Sequence, residues 1–188
     1  MDTNARLYQD LDRILLTRDQ IQEAVKKLGE KITRDYEGKK PVLIGILRGA
    51  VVFFADLVRE IELDTVFDFM IVKSYGGGTE SSGNVRFVKD LDESITGKNV
   101  LIVEDIIDSG LTLTFLKNNL ITRGAKELRI CTLLDKPERR KPGATITVDY
   151  CGFRIPNEFV VGYGLDFNES YRNLPDVGVL KPEVYTNV

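Results

Sequence analysis

The stretch that decides the fold reads Val100-Leu101-Ile102-Val103-Glu104-Asp105-Ile106-Ile107-Asp108-Ser109-Gly110-Leu111-Thr112. Its short apolar run is rich in β-branched residues and predicts a buried strand that ends at two adjacent carboxylates, Glu104 and Asp105. A third carboxylate, Asp108, opens a Ser-Gly-x-Thr turn, and a new apolar pattern follows the turn. The sequence therefore predicts a strand, a loop and a helix, in that order.

The loop from Asp108 to Thr112 has the features of a phosphate-binding site. In an open parallel sheet, ligands bind beyond the carboxyl ends of the strands, where the N–H groups of the next helix attract anions. Gly110 lets the backbone come close, and the hydroxyls of Ser109 and Thr112 add donors. No lysine follows the glycine, so the loop is not a nucleoside-triphosphate P-loop. The neighbouring acidic pair suits hydroxyl groups or a divalent metal beside a phosphate, as in a ribose phosphate.

A simpler interpretation treats Glu104 and Asp105 as a solvated strand end and Asp108 as a helix cap. We disfavour it, because a cap needs one such side chain and three carboxylates converge here.

Composition excludes several classes of site and partner. The chain has no histidine, which removes imidazole acid–base chemistry and leaves carboxylates and lysines, above all Asp108 and Lys136, to move protons. A net charge of −3 gives no sign of the basic face that nucleic-acid binding usually leaves, although a local basic patch stays open. The polar N-terminus lacks a signal-peptide pattern, and no apolar run reaches the roughly 20 residues of a membrane span, so we expect a cytoplasmic protein with no membrane contact.

The length of 188 residues fits one domain, residues 1–188, with a substantial core. Cys131 and Cys151 fall in predicted strands without metal-ligand spacing, and we expect buried free thiols.

Apolar spacing predicts the elements around the central stretch. Residues before Thr17 are mixed and polar, and we expect Ile14-Leu15-Leu16 to pair or pack briefly. A capping box at Thr17 begins an amphipathic helix that closes near Gly38. The other predicted elements are strands at Val42–Leu47, Val66–Val72, Val85–Lys89, Leu128–Leu134 and Thr145–Tyr150, a helix through Phe53 and Leu57, and a helix from the loop to Gly124.

Three further segments allow two interpretations each from the residues alone. Arg48 lies in a strand-to-helix turn, where it could meet an incoming anion. A plain turn with an exposed arginine is the simpler interpretation. Lys136 follows the next strand and could equally be a surface lysine or a site residue. After Lys73-Ser74-Tyr75, the glycine- and serine-rich residues 76–83 read as a flexible hairpin tip, and also as a mobile lid.

The central stretch resembles the phosphoribosyl-pyrophosphate loop of the purine phosphoribosyltransferases, whose pattern is an apolar run, Glu-Asp, two apolar residues and Asp-Ser/Thr-Gly-x-Thr. The tail Phe159-Val160-Val161-Gly162-Tyr163-Gly164-Leu165-Asp166 resembles the base-binding end of the hypoxanthine-guanine members, and Leu47-Arg48-Gly49 resembles their pyrophosphate turn, which can carry a strained peptide. The resemblance covers nearly the whole chain from Thr17. It implies an α/β fold of the type I phosphoribosyltransferase class, a parallel sheet flanked by helices with a small hood made by the N-terminal segment and the C-terminal tail.

The resemblance also implies an activity, purine salvage, in which a 5-phosphoribosyl group passes from phosphoribosyl pyrophosphate to N9 of hypoxanthine or guanine. It implies Mg²⁺ as cofactor, pyrophosphate as product and a homo-oligomer, either a dimer or a tetramer. Asp108 is the expected catalytic base for the purine N7 proton. The resemblance implies that the phosphoribosyl group and its 5-phosphate are bound by Glu104, Asp105, Asp108, Ser109, Gly110, Leu111 and Thr112, and pyrophosphate by Leu47, Arg48, Gly49 and Arg172. It implies that the purine is bound by Lys136, Phe159, Val160 and Asp166, and the metal by Glu104, Asp105 and Asp166. The expected lid begins with Lys73, Ser74 and Tyr75.

Three residues depart from the family pattern. Arg48 replaces the usual lysine of the pyrophosphate turn and keeps the charge with a different donor geometry. Leu111 stands where relatives often have a polar or basic residue, and we expect it to alter affinity rather than abolish activity. Glu158 replaces a lysine of some relatives, which leaves open the preference among hypoxanthine, guanine and xanthine.

Two other classes of protein use similar features. One is a regulator that keeps this fold and binds nucleic acid, which the acidic composition disfavours. The other is a phospho-acceptor signalling domain, in which the acidic pair normally follows the first strand, whereas here it comes in the middle of the chain.

Overall fold

The computed structural model describes residues 3–75 and 84–186 of the chain. The helices are α1 (Thr3–Gln9), α2 (Arg18–Asp35), α3 (Val51–Arg59), α4 (Leu111–Thr122) and α5 (Pro182–Tyr185). The strands are β1 (Leu11–Leu16), β2 (Val42–Ile46), β3 (Val66–Tyr75), β4 (Asn84–Lys89), β5 (Asn99–Ile107), β6 (Glu127–Asp135), β7 (Tyr150–Arg154), β8 (Val160–Val161) and β9 (Val177–Leu180).

The larger sheet has the strand order β4-β3-β2-β5-β6-β7 and is parallel except for β4. From β2 the chain adds β3 on one side, then returns to place β5 on the other side and continues outward through β6 and β7. The strand order therefore reverses between β2 and β5, and such a switch point is where open α/β sheets bind ligands.

Both faces of this sheet are buried, because side chains alternate along each strand. On β5, Leu101 and Val103 pack in one cluster with α2 and α3, whereas Val100 and Ile102 pack in another with α4. The sheet is thus sandwiched between helices, and the predicted fold class is confirmed.

A smaller antiparallel sheet, β1-β9-β8, joins the N-terminal segment to the C-terminal tail. Asp176 ties the two segments together: it accepts hydrogen bonds from the Tyr8 hydroxyl and, at 2.7 Å, from the Arg18 backbone N–H. We refer to this sheet with its connections as the hood.

The brief pairing expected at Ile14-Leu15-Leu16 is confirmed as part of β1, because β9, distant in sequence, supplies its partner. Two other expectations about elements were wrong. β5 runs past Glu104 and Asp105 to Ile107, since its backbone stays paired with β6 up to Asp135. The strand predicted at Thr145–Tyr150 instead begins at Tyr150, where pairing with β6 starts.

The capping box and the free cysteines were predicted correctly. The capping box at Thr17 is formed with Gln20 in both directions. Cys131 and Cys151 lie on β6 and β7 as free thiols, although Cys151 is only partly buried. In the ranges 3–75 and 84–186, no helix is both long and apolar enough to cross a membrane.

Candidate active site

The candidate site lies in a crevice at the carboxyl edge of the larger sheet. β2 pairs with β5 only as far as the Gly45–Val103 pair, whereas β5 continues beside β6 to Ile107. After β2 the Leu47 N–H donates to the Met70 carbonyl of β3 at 2.9 Å, so the chain follows β3 and no longer pairs with β5. The crevice opens between the two strands. The Leu47–Arg48 peptide bond is cis.

Two adjoining cavities occupy this crevice. The first, of about 330 Å³, is lined by the loop after β5 and by Leu47, and the second, of about 390 Å³, is lined by Lys136 and residues of the tail. Four residues line both cavities: Gly49, Asp105, Ile106 and Asp108. Asp108 therefore stands at the junction of the two.

The first cavity faces the N-terminus of α4. Gly110 begins the helix with a left-handed backbone, at φ 77°, and the Ser109 hydroxyl accepts a hydrogen bond from the first helical N–H, that of Leu111, at 3.4 Å. The positive end of the helix dipole lies at the cavity and attracts anions. Asp108, Ser109, Gly110 and Thr112 line this cavity, whereas Leu111 does not and faces Gly143.

The acidic pair, Glu104 and Asp105, lies between the turn after β2 and the loop after β5. Glu104 and Asp105 both line the first cavity. Burial, together with the neighbouring Asp105 carboxylate, raises the pKa of Glu104 well above its usual range. A bound cation would oppose this shift, because it stabilises the charged form of a carboxylate.

Gly49 is required by the position of Asp105. A Cβ atom at residue 49 would lie 1.6 Å from Oδ2 of Asp105, so no other residue fits this turn unless the carboxylate moves. The Gly49 carbonyl also meets the hood, because a Cβ at Gly164 would lie 2.1 Å from it. The turn, the acidic pair and the hood are therefore in close contact.

The second cavity has a buried cation and an aromatic wall. Lys136 is 7% exposed, and burial lowers its pKa below the usual range of lysine, although the charge of Asp108 opposes the shift. Phe159 and the residue after it, Val160, line the same cavity. Glu158 does not line it: its carboxylate accepts two hydrogen bonds from Arg13 of β1, at 2.5 and 2.6 Å.

Two arginines lie at the outer edge of the second cavity. Arg48 is paired with Glu169 at 3.1 Å, and Arg172 is paired with Asp166 at 2.9 Å and with Glu169 at 3.3 Å. Asp166 also accepts a hydrogen bond from the Glu169 backbone N–H at 2.9 Å. Asp166 lines the second cavity and Glu104 the first, and the role that the resemblance implies for Asp166, to support a second Mg²⁺, stays a prediction.

The acidic pair nevertheless fits Mg²⁺. Mg²⁺ keeps several waters and is commonly held by one or two carboxylates together with substrate phosphates, so a closed cage of protein ligands is not needed. No cluster of three or more metal-ligating side chains occurs in the described part of the chain. Glu104 and Asp105, which face a cavity with an anion-binding helix N-terminus, supply the oxygen donors that such a shared site uses.

Two arginines that sequence reasoning missed support the site. Arg139 Nε donates to Asp108 at 2.9 Å. Arg140 donates to the carbonyls of Asp108 at 2.7 Å and Lys136 at 3.3 Å, and it also pairs with Asp135. Arg140 thus holds the loop after β5 against the loop after β6. The basic pair Arg139-Arg140, close after Lys136, was the available signal.

The proposed lid starts beside the first cavity. Lys73, Ser74 and Tyr75 are the last three residues of β3 rather than loop residues, and the nearby Val72 lines the cavity. The glycine- and serine-rich segment 76–83 lies outside the described residues.

Comparison with known proteins gives one consistent result. The phosphoribosyl transferase domain matches residues 15–168. A hypoxanthine-guanine phosphoribosyltransferase of Lactococcus lactis is 55% identical over 179 residues, which cover 95% of this chain and 96% of that protein. The crystal structure of a hypoxanthine phosphoribosyltransferase from Staphylococcus aureus, at 50% identity, superposes with a TM-score of 0.94 over 99% of this chain and 100% of that one.

Some relatives are much longer. The bifunctional protein TilS/HprT of Listeria innocua is 49% identical over 183 residues, which are 97% of this chain and 28% of that protein. The chain therefore spans 28% of the length of this relative and nearly the full length of the Lactococcus lactis one.

Proposed function

Because the chain belongs to the phosphoribosyltransferase family, we propose that it is a hypoxanthine-guanine phosphoribosyltransferase of purine salvage. In this proposal it transfers the 5-phosphoribosyl group of phosphoribosyl pyrophosphate to N9 of hypoxanthine or guanine, which gives IMP or GMP and pyrophosphate. The observation that carries the proposal is the position of Asp108, which lines both the cavity with the anion-binding loop and the cavity with Lys136.

The first cavity would hold the phosphoribosyl group. The N–H groups at the start of α4 and the hydroxyls of Ser109 and Thr112 would bind the 5-phosphate. Glu104 and Asp105 would bind the ribose hydroxyls, directly or through Mg²⁺. Bound Mg²⁺ would neutralise part of the charge that pyrophosphate gains as its bond to C1 breaks. Arg48, Arg172 and the backbone of the turn at Gly49 would hold the pyrophosphate, which would compete with Glu169 for both arginines.

The second cavity would hold the purine, and we refer to it as the base cavity. Phe159 would stack on the base, the Val160 backbone would pair with its edge, and the Lys136 ammonium would donate to O6. As N9 bonds to C1 and pyrophosphate leaves, the purine N7 proton would pass to Asp108, which lies at the junction where both reactants meet.

Turnover on a panel of purines with phosphoribosyl pyrophosphate and Mg²⁺ tests this proposal, and we expect hypoxanthine and guanine to be used and adenine to be rejected. A lysine ammonium has donors only, so it pairs with the O6 carbonyl and not with the amino group of adenine. N1 of adenine is an acceptor where the oxopurines have a donor, so the backbone contact fails as well. Each unpaired buried polar group costs about 1 to 3 kcal/mol, so kcat/KM for adenine should be at least roughly a hundredfold lower.

Lys136→Ala should reduce the difference in kcat/KM between the oxopurines and adenine. It should do so by lowering kcat/KM for hypoxanthine and guanine, without raising kcat/KM for adenine. Comparable kcat/KM values for adenine and hypoxanthine in the wild type would contradict the assignment of the base cavity.

Two expectations stay predictions. One is a dimer or tetramer, which light scattering on the purified protein measures. The other is a cytoplasmic location, which fractionation of the source cells measures.

A further inference from the structure

The C-terminal helix α5 places a second aromatic ring against Phe159. The rings of Phe159 and Tyr185 are 4.8 Å apart between centroids and only 18° from parallel, which is a stacked pair. Phe167 meets Phe159 as well, at 5.6 Å and 88°. Phe159 itself remains 39% exposed, so part of this ring is free for a ligand.

The two sides of Phe159 face different cavities. Phe159 lines the base cavity, and it also lines a separate cavity of about 300 Å³ together with Tyr185 and Pro182. Tyr185 lines only the separate cavity. Tyr185 therefore stacks on Phe159 from the side away from the base cavity.

Backbone hydrogen bonds hold the segments that carry the two rings next to each other. Val160 pairs with Val179, and the Leu180 N–H donates to the Phe159 carbonyl at 2.8 Å. The Lys181 N–H donates to the Asp10 carbonyl at 3.0 Å, which anchors the start of α5 to the N-terminal segment. The hood thus holds the start of α5, which carries Tyr185, beside the segment that carries Phe159.

We propose that Tyr185 is a positioning residue for the purine base, and this inference rests on the proposed function. A phenylalanine ring that is free to rotate would lose conformational freedom when a base stacks on it. A ring already held by a stacked partner loses less, and an aromatic pair contributes about 0.5 to 1.5 kcal/mol beyond the area it buries. Tyr185 in this view holds Phe159 parallel to the position of the incoming base.

Steady-state kinetics and calorimetry on Tyr185→Leu test this role. We expect the KM for hypoxanthine and the Kd for IMP to rise about 3- to 10-fold, which corresponds to the free energy of an aromatic pair. The KM for phosphoribosyl pyrophosphate and kcat should stay within about twofold, since neither the phosphate loop nor Asp108 contacts Tyr185. Tyr185→Phe keeps the ring and should behave as the wild type.

Val184→Ala is the matched control, because Val184 and Tyr185 pack against the same small cluster with Leu11 and Leu180. It should lower Tm and leave the KM for hypoxanthine unchanged. If Tyr185→Leu does not fold, Tyr185→Met provides the same test with a flexible side chain of similar reach.

An unchanged KM for hypoxanthine in folded Tyr185→Leu would overturn the inference while the wild type remains active. So would an equal rise in Val184→Ala, or a Tyr185→Phe variant as impaired as Tyr185→Leu. A wild type that turns over no 6-oxopurine would instead overturn the proposed function, and the inference with it.

Discussion

At the scale of single residues, the proposed function gives most of the chemistry to Asp108 and Lys136, in a chain that has no histidine. Asp108 is held by Arg139 at 2.9 Å and lies at the junction of the two cavities. Lys136 is buried in the second cavity, where its charge is stabilised only in part by Asp108. Each residue gives a separate prediction.

Asp108→Asn keeps the size of the side chain and an oxygen that can still accept from Arg139, but it removes the proposed base. General acid–base catalysis is typically worth about 10²- to 10⁴-fold, and we expect a loss of this size in kcat for IMP formation. A variant with wild-type kcat and only a raised KM would reduce Asp108 to a structural role.

The lowered pKa of Lys136 predicts the alkaline limb of the pH profile. Because burial lowers this pKa, the ammonium loses its proton at a lower pH than an exposed lysine, and with it the donor to O6. We expect kcat/KM for hypoxanthine to fall with rising pH, through an apparent pKa below the usual range of lysine.

Lys136→Arg stays charged throughout this range, so its kcat/KM should be lower overall but should lack that limb. Ionisation of the substrate affects both proteins equally, and the comparison therefore isolates the lysine. Identical profiles in the two proteins would show that another group is titrating.

At the scale of elements, the turn between β2 and α3 is shaped by its neighbours. Gly49 lies against Asp105 of β5 on one side and against Gly164 of the hood on the other. The turn cannot therefore be altered without moving the acidic pair or the hood.

Gly49→Ala should raise the KM for phosphoribosyl pyrophosphate and lower kcat/KM about 10²-fold, because its methyl group lies 1.6 Å from Oδ2 of Asp105 and displaces the carboxylate. Gly97→Ala is the control: its φ of +72° makes alanine unfavourable, yet none of the described atoms lies within 4 Å of the added Cβ. Gly97→Ala should lower Tm and leave kcat/KM unchanged. Equal kcat/KM in the two variants would contradict the close contact at Gly49.

At the scale of the whole molecule, the site lies between the large sheet and the hood, so substrate should link the two. Each part contributes one side of the second cavity, with Asp108 and Lys136 from the sheet edge and Phe159 and Asp166 from the tail. Ligands that bind only the folded protein stabilise it by mass action.

Phosphoribosyl pyrophosphate with Mg²⁺, at a hundredfold excess over Kd, should raise the free energy of unfolding by about 2.7 kcal/mol. For a chain of this size, this corresponds to a rise of roughly 5 to 10 °C in Tm. Hypoxanthine alone should add less, because the acidic pair binds no purine. A thermal-shift measurement decides the matter, and equal stabilisation by hypoxanthine without Mg²⁺ would contradict the roles given to Glu104 and Asp105.

The sequence by itself determined the central strand, loop and helix, because their apolar periods and the glycine of the turn are local properties of the chain. It also predicted the family, which the match over residues 15–168 confirmed, and the residues that the edge of a parallel sheet brings together at Asp108 and Lys136. Only the tertiary structure decided the extent of β5 and the existence of β1, because those depend on strand partners far away in sequence. The same holds for Gly49 beneath Asp105, Arg140 between two loops and Tyr185 behind Phe159. Each of these contacts joins segments that the sequence separates by many residues, and no local pattern of side chains records which of them will meet.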